Sequence, residues 1–375
     1  MKKDIILYFG GFDLPDKNAA AQRVIANGKA FRELGYSVVF IGINHEIDYP
    51  DYEVHNNPQK YQGFDFYNRP YPKKIKEWVR YSKQIKIIKT FILKYFNRVS
   101  AVIFYNYPAL PIIRIIPFCR TNSIKVISDC TEWYSHQITG IQGLVKFVDS
   151  ELRMRLVNKT VDGVVAISSY LLNYYNEHVP TFYIPPLVDL EDPKWAIEAI
   201  IKNSNFTIIY AGSPGRKDRV DLLIDAVSQI KVPVLLKIIG ITENEFHEQF
   251  SGSRNSIPSN IIFYGRLSHE KVITELKGSD YSCFFRDKNK MTQAGFSTKF
   301  VESISAGTPV ITNRTSDISD YCSKLNGCIL VEDISVSSIV LALERAYSNK
   351  RRIENHSIFD YRNYLSDFKE ITELF

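Results

Sequence analysis

The sequence predicts an α/β protein made of two doubly wound domains, and three observations carry that prediction. Short runs rich in Val, Ile, Tyr and Phe recur along the 375 residues and alternate with stretches of helical periodicity, the pattern of βα units on a parallel sheet. The runs fall into two successive sets. Pro185-Pro186-Leu187-Val188-Asp189 stands between the sets, and paired prolines suit a linker rather than helix or sheet. The domains are accordingly residues 1–187 and 188–375, with the last helix expected to pack back on the first domain. A chain of this length has material for two cores.

Strands are predicted in the first domain at 5–9, 38–41, 101–105, 124–127, 163–167 and 181–184. In the second they are predicted at 207–210, 235–239, 261–264, 281–285, 309–311 and 328–331. Ligands of such sheets sit beyond the carboxyl ends of the strands, so the loops there carry the functional reading. Residues 5–9 lead into Gly10-Gly11-Phe12-Asp13. Residues 207–210 lead into Gly212-Ser213-Pro214-Gly215-Arg216-Lys217-Asp218. Gly265-Arg266 follows 261–264, and Arg286-Asp287-Lys288 follows 281–285. If the domains face one another, Gly10-Gly11 forms one wall of a cleft and the cationic loops form the other.

The most informative stretch is Ala294-Gly295-Phe296-Ser297-Thr298-Lys299-Phe300-Val301-Glu302. A Gly-containing turn runs into a helix that starts near Ser297. The unpaired N–H groups and positive dipole end of a helix hold phosphate. Glu302 lies a little over one turn further on, placed to accept hydrogen bonds from a ribose. Gly307 ends the helix, and 308–311 reads as a buried strand. These parts together look like half of a nucleotide site.

Composition narrows the classes. The hydrophobic share is 45%. No run of 18 apolar residues occurs, so no membrane-spanning helix is expected. The first residues turn acidic and Gly-rich too soon for a secretory signal. Five cysteines without Cys-x-x-Cys spacing read as buried reduced thiols. Seven histidines with no pair at i, i+3 or i+4 argue against zinc. The net charge of +6 is uneven: residues 1–187 hold 24 Lys/Arg against 16 Asp/Glu, and residues 73–98 hold nine against one. In that segment Trp78, Tyr81, Ile85, Ile88, Ile92 and Tyr95 fall at helical steps, which predicts a basic amphipathic helix. Such a helix suits an anionic membrane surface, with Lys83, Lys86 and Lys89 as its contacts. A plain domain helix with solvated charges is the other reading. No nucleic-acid recognition motif occurs, and no nucleic-acid partner is expected.

These residues resemble the retaining nucleotide-sugar glycosyltransferases of the GT-B fold, in the group numbered family 4 (glycosyl transferases group 1). The likeness runs over essentially the whole chain. At the start it lies in the Gly10-Gly11 loop and Leu34-Gly35-Tyr36-Ser37-Val38. In the middle it lies in Ala166-Ile167-Ser168-Ser169-Tyr170-Leu171 and the Pro185-Pro186 linker. Tyr210-Ala211-Gly212 through Lys217, then Asp221-Leu222-Leu223-Ile224-Asp225-Ala226, is similar to the family's phosphate loop and following helix. Residues 294–311 are similar to its signature of two glutamates eight positions apart.

The resemblance implies two doubly wound Rossmann-like domains facing a central cleft, the first binding acceptor and the second binding donor. It implies donor contacts from Gly11, Gly212, Ser213, Arg216, Lys217, Arg266, Arg286, Gly295, Phe296, Ser297, Thr298 and Glu302. There is one departure. The signature's first glutamate, which contacts the donor sugar in the family, is Ala294 here. The ribose role carries over to Glu302 and the sugar-recognition role does not.

Glycosyl transfer has to stabilise a departing nucleoside diphosphate, with a metal ion or with protein cations and helix dipoles. No two aspartates lie two apart, so the Asp-x-Asp metal solution of the other transferase fold is missing, and no metal or cofactor is expected. Lys217 is assigned to the diphosphate, together with the amides of Gly295 to Thr298. Three or four charge-assisted hydrogen bonds of about 1.5–3 kcal/mol each supply a useful part of the roughly 8 kcal/mol or more that enzymes provide. The resemblance implies retention of configuration, by attack on the face the diphosphate leaves and without a protein nucleophile. Glu132, in Asp129-Cys130-Thr131-Glu132-Trp133-Tyr134, is taken as an acceptor-binding residue or helper base.

The expected enzyme moves a sugar from a nucleotide sugar to a glycan or lipid-linked acceptor in surface-polysaccharide synthesis. It is expected in the cytoplasm, peripheral on the inner face of the membrane. Two alternatives stay open: a nucleotide-sugar epimerase of the same fold, and a nucleotide-binding scaffold left inactive by Ala294. Plainer roles also stand for single residues. Arg286 serves as a structural ion-pair partner, Arg266 as a strand-end cap, Arg216 and Lys217 as a surface pair, and Glu302 as a solvated helix residue.

Overall fold

The computed structural model describes residues 3–47, 57–134, 140–196, 205–215, 217–250, 257–351 and 353–375. The chain divides into two units: Met1–Leu187 with Tyr361–Phe375, and Val188–Asp360. The second unit therefore ends at Asp360 rather than at 375. The reason is apolar: Phe368 and Ile371 are buried in the core of the first unit, with Phe368 edge-on to Phe31 at 4.9 Å and Phe375 edge-on to Tyr36 at 5.5 Å.

The first unit has one sheet of eight strands: β1 (Ile5–Gly10), β2 (Ser37–Asn44), β3 (Gln59–Tyr61), β4 (Phe64–Pro70), β5 (Val99–Tyr105), β6 (Lys125–Cys130), β7 (Gly163–Ala166) and β8 (Thr181–Tyr183). Their order is β3-β4-β2-β1-β5-β6-β7-β8. All neighbours run parallel except β3, which is antiparallel to β4. Every residue of β1 is buried, as both faces of a parallel sheet must be covered. The strand order reverses between β1 and β5, so the ligand crevice of a doubly wound sheet opens there. Side chains fix helix starts: Asn18 accepts from the Ala21 amide at 2.8 Å and begins the helix Ala19–Glu33.

Strands β3 and β4 were not predicted. Asp65, Asn68, Arg69 and Pro70 break the apolar run of β4. The structure nevertheless buries Asn68 and Arg69, and gives each a hydrogen bond to a distant partner. The Asn68 amide donates to Leu14 O at 3.2 Å, and Arg69 Nη1 donates to the Tyr107 hydroxyl at 2.7 Å. Gln62 and Gly63 turn the hairpin with φ of 46° and 81°, the positive pair that two-residue hairpins use.

The single basic helix expected over 73–98 is two helices, Ile75–Tyr81 and Lys86–Lys94. The Ser82 hydroxyl turns back onto the Trp78 carbonyl and Gln84 is drawn to Arg69, which interrupts the helical ladder. Ile88, Phe91 and Ile92 of the second helix are buried, with Phe91 against Phe9 and Tyr67 at 6.0 and 4.8 Å. That apolar face belongs to the domain core. Among the described residues, no helix is long and apolar enough to cross a membrane.

The second unit has six parallel strands: β9 (Phe206–Ala211), β10 (Val234–Ile239), β11 (Ile261–Gly265), β12 (Tyr281–Cys283), β13 (Val310–Asn313) and β14 (Cys328–Val331). Their order is β11-β10-β9-β12-β13-β14. Here the order reverses between β9 and β12. The chain enters and leaves this unit side by side, because Val188 pairs with Asp360.

Candidate functional site

From the reversal point of the second unit outward along β9, β10 and β11, three strand-end glycines are stacked. Gly212 N donates to Ile239 O at 3.0 Å, and Gly240 N donates to Gly265 O at 2.7 Å. A Cβ on Gly240 would lie 2.4 Å from the Gly212 carbonyl carbon, and one on Gly212 would lie 2.6 Å from Lys299 Cε. Both glycines also have φ above 100°. No other residue fits either position.

Against Gly212 stands a cluster of charge that the sequence reading did not assemble. Asp218, from the loop after β9, accepts from Arg286 Nε at 2.7 Å and from Lys299 Nζ at 3.1 Å. The Tyr210 hydroxyl donates to the same carboxylate at 3.1 Å. Asp218 is 1% exposed, and Arg286 and Lys299 are largely buried. Burial alone would raise the Asp218 carboxyl. Lys299 and Arg286 outweigh it and hold the group well below the usual carboxylate range. Lys299 moves down as well, through burial and the nearby Arg286 and Lys217 cations, against the pull of Asp218. Two cations share one carboxylate, so the cluster keeps a net positive charge. Lys217 is half-buried next to it. Arg286 thus sits in an ion pair, and Arg216 lies outside the described residues.

The helix Thr298–Ser305 starts with Ser297 at its N-cap position, yet among the described residues no side chain caps it. The Ser297 hydroxyl is buried and has no hydrogen-bond partner among the described residues. Lys299 lies in the first turn of this helix. Glu302, one turn on, is largely buried, with Oε1 3.4 Å from His269 Nε2. His269 opens the helix His269–Lys277 that follows β11. Gly295 closes the preceding helix, Lys290–Ala294. The Phe296 ring is turned into an aromatic cluster with Tyr321 at 5.5 Å and Phe359 at 6.1 Å, which leaves only its backbone to the loop. Ala294 is fully buried.

Ser213 and Arg266 line an open depression of about 330 Å³ together with Gly240 and Glu245. Arg266 is 70% exposed and paired with Glu245 at 2.8 Å. Gly212, Ser213, Lys217, Arg266, Arg286, Ser297 and Thr298 therefore lie on loops and a helix start at the carboxyl end of one sheet, with Glu302 one turn into the same helix.

Gly11 and Glu132 lie in the first unit. Gly11 lines a cavity of about 260 Å³, and Glu132 hydrogen-bonds Tyr134, which lines the same cavity. Asp129, three residues before Glu132, is structural. It takes Arg23 Nη2 at 2.7 Å and the Tyr8 hydroxyl, while Arg23 Nη1 donates to the carbonyls of Ile184 and Pro185 at 3.0 Å.

Residues 192–364 match the family described as glycosyl transferases group 1. No curated protein matches the chain by sequence. Among solved structures, sucrose-phosphate synthase from Thermosynechococcus elongatus superposes with a TM-score of 0.71 at 13% identity, covering 98% of this chain and 95% of that one. The catalytic domain of starch synthase IV from Arabidopsis thaliana, bound to ADP and acarbose, gives 0.70 at 11% identity and covers 98% of each chain. Anabaena HepE in complex with UDP-glucose gives 0.66 at 11% identity, over 99% of this chain and 100% of that one. At such identities the likeness is one of fold, and it runs the length of both units. By sequence the stretch 192–364 is similar to the glycosyl transferases group 1 family, and it lies in a chain with the two-unit GT-B fold.

Proposed function

We propose that this protein is a glycosyltransferase whose nucleoside diphosphate donor is held at the strand-order reversal of the second unit. One observation carries the reading. An uncapped helix N-terminus, the Gly212 backbone and the net-positive Lys299–Asp218–Arg286 cluster meet at one place, inside the stretch that matches the family. The solved structures that contain UDP-glucose or ADP support the donor class.

As the bond to the sugar lengthens, negative charge grows on the departing diphosphate. Amides of the first helical turn, Lys299 and Lys217 meet that charge with fixed dipoles and cations. Glu302 accepts from the ribose hydroxyls, with His269 close beside it. Transfer proceeds with retention and without a metal, and Glu132 acts on the acceptor side. The acceptor is a glycan or lipid-linked glycan of surface-polysaccharide assembly. Lys83 and Lys86 are exposed and Lys89 half-buried, and the neighbouring Leu93 and Phe96 are 58% and 40% exposed. These features support contact with an anionic membrane surface on the cytoplasmic side.

The test is a thermal-shift screen against UDP, ADP and GDP, followed by release assays on the corresponding nucleotide sugars with and without EDTA. One diphosphate should raise the melting temperature, and its sugar should be turned over equally with chelator present. Binding without turnover of any common donor would make the protein a scaffold. Interconversion of the donor sugar without an acceptor would make it an epimerase.

A further inference from the structure

The cavity of the first unit lies at that sheet's own order reversal, where β1 and β5 end. Its floor holds Gly11, Tyr105 and Asn106. One face of the helix Gly140–Arg155 lines it through Lys146, Asp149, Ser150 and Arg153, positions three and four apart. Opposite stands an aromatic wall, in which Trp78 packs edge-on against Tyr71 at 5.4 Å and Tyr81 at 5.8 Å.

The polar groups of this cavity are unevenly satisfied. Asp149 is engaged, since its Oδ1 accepts from the Ala109 amide at 3.0 Å. Arg153 is only 3% exposed, yet its Nε and Nη2 have no hydrogen-bond partner among the described residues. The Ser150 hydroxyl and Trp78 Nε1 are buried and unpaired in the same way. Lys146 Nζ lies 4.4 Å from the centre of the Trp78 ring, and burial lowers its pKa. A buried guanidinium without an acceptor is costly. The nearby carboxylates are already engaged, Asp149 by the Ala109 amide and Glu132 by Tyr134, and the Arg153 Nε and Nη2 are left facing the cavity.

We propose that this cavity binds a monosaccharide carrying an anionic group, phosphate or carboxylate, with Arg153 as its counter-charge and the Trp78–Tyr81 wall against the sugar ring. Its volume of about 260 Å³ falls just below the usual range for drug-sized ligands and suits one sugar ring. Arg153 gives a planar fork to the anion, Lys146 adds charge at the rim, and Ser150 and Trp78 Nε1 supply neutral hydrogen bonds. Naming this sugar as the acceptor, or as the acceptor's terminal residue, rests on the transferase reading above; the binding itself does not.

Calorimetric titration of the full chain with glucose 6-phosphate, glucuronate and glucose tests it, with the stabilising nucleoside diphosphate titrated in parallel. At least one charged sugar should bind ten times more tightly than glucose, and whichever does so identifies phosphate or carboxylate. Arg153→Gln should bring that sugar to the level of glucose and leave diphosphate affinity unchanged. Lys146→Gln, at a less buried position, should weaken it two- to fivefold and stands in if Arg153→Gln does not fold. Equal affinity for charged and neutral sugars, or an unchanged preference in both variants, would overturn the proposal. Absence of any nucleoside diphosphate binding would instead count against the transferase reading and leave this one intact.

Discussion

Asp218 sits in a pocket nearly closed to water between two cations, so its native pKa lies below the unfolded value near 3.9. A carboxyl depressed in this way contributes stability above its unfolded pKa, and the contribution is lost as pH falls toward the native value. Asp218→Asn strands two buried cations and should cost about 3–5 kcal/mol at pH 7. The gap in urea midpoint between variant and wild type should narrow below pH 4. An equal gap at pH 7 and pH 3 would refute the assignment. Lys299→Met and Lys217→Ala should each weaken the stabilising nucleoside diphosphate by about 1.5–3 kcal/mol, read by titration. Unchanged affinity would remove that lysine from the site. Residues of this kind were the least legible in the sequence. Lys299 and Asp218 stand inside the two stretches that drew attention, but a single charge has no periodicity, and only the fold brings positions 81 apart to 3.1 Å. His269 and Arg153 had no local signal either.

Strands carry far more of their signal locally. Runs such as Ile-Ile-Leu-Tyr-Phe are buried on both faces, so composition alone identifies them, and all twelve expected strands are present. β4 escaped because its polar residues are paid for by distant partners, Leu14 and Tyr107. The segment 73–98 misled in the opposite sense. Apolar residues at helical steps look the same whether they meet lipid or the domain's own sheet, and Phe91 meets the sheet. What remains outside is charge and a few apolar side chains. Reversing Lys83, Lys86 and Lys89 to Glu should release the protein from vesicles containing anionic lipid, in a sedimentation assay, at a loss of about 1 kcal/mol per lysine. Lys89 also lies 5.1 Å from the Phe118 ring, so the melting temperature should be recorded alongside. Equal vesicle binding by both proteins would end the membrane proposal.

At the scale of the molecule, the first unit is completed only by Tyr361–Phe375. Phe368 is fully buried against Phe31, so Phe368→Ala should cost the first unit about 3–5 kcal/mol and leave the second untouched. Urea unfolding followed separately in the two units, with intrinsic fluorescence and hydrogen exchange, should show only one transition moving. A shift of both by the same amount would mean the units unfold together. Two sets of strands and a proline-rich join made the pair of units visible in the sequence. The return crossing at Tyr361 was less so, because a short amphipathic helix does not say which core it will cover.

That return crossing also orders events during synthesis. The second unit is contiguous in the chain and its two ends meet at Val188 and Asp360, so it can close as soon as Asp360 has left the ribosome. The first unit is translated earlier, but it waits with an uncovered flank around Phe31 and Tyr36 until the final helix emerges. The half of the protein that is made first therefore receives the last piece of its core only with the final helix.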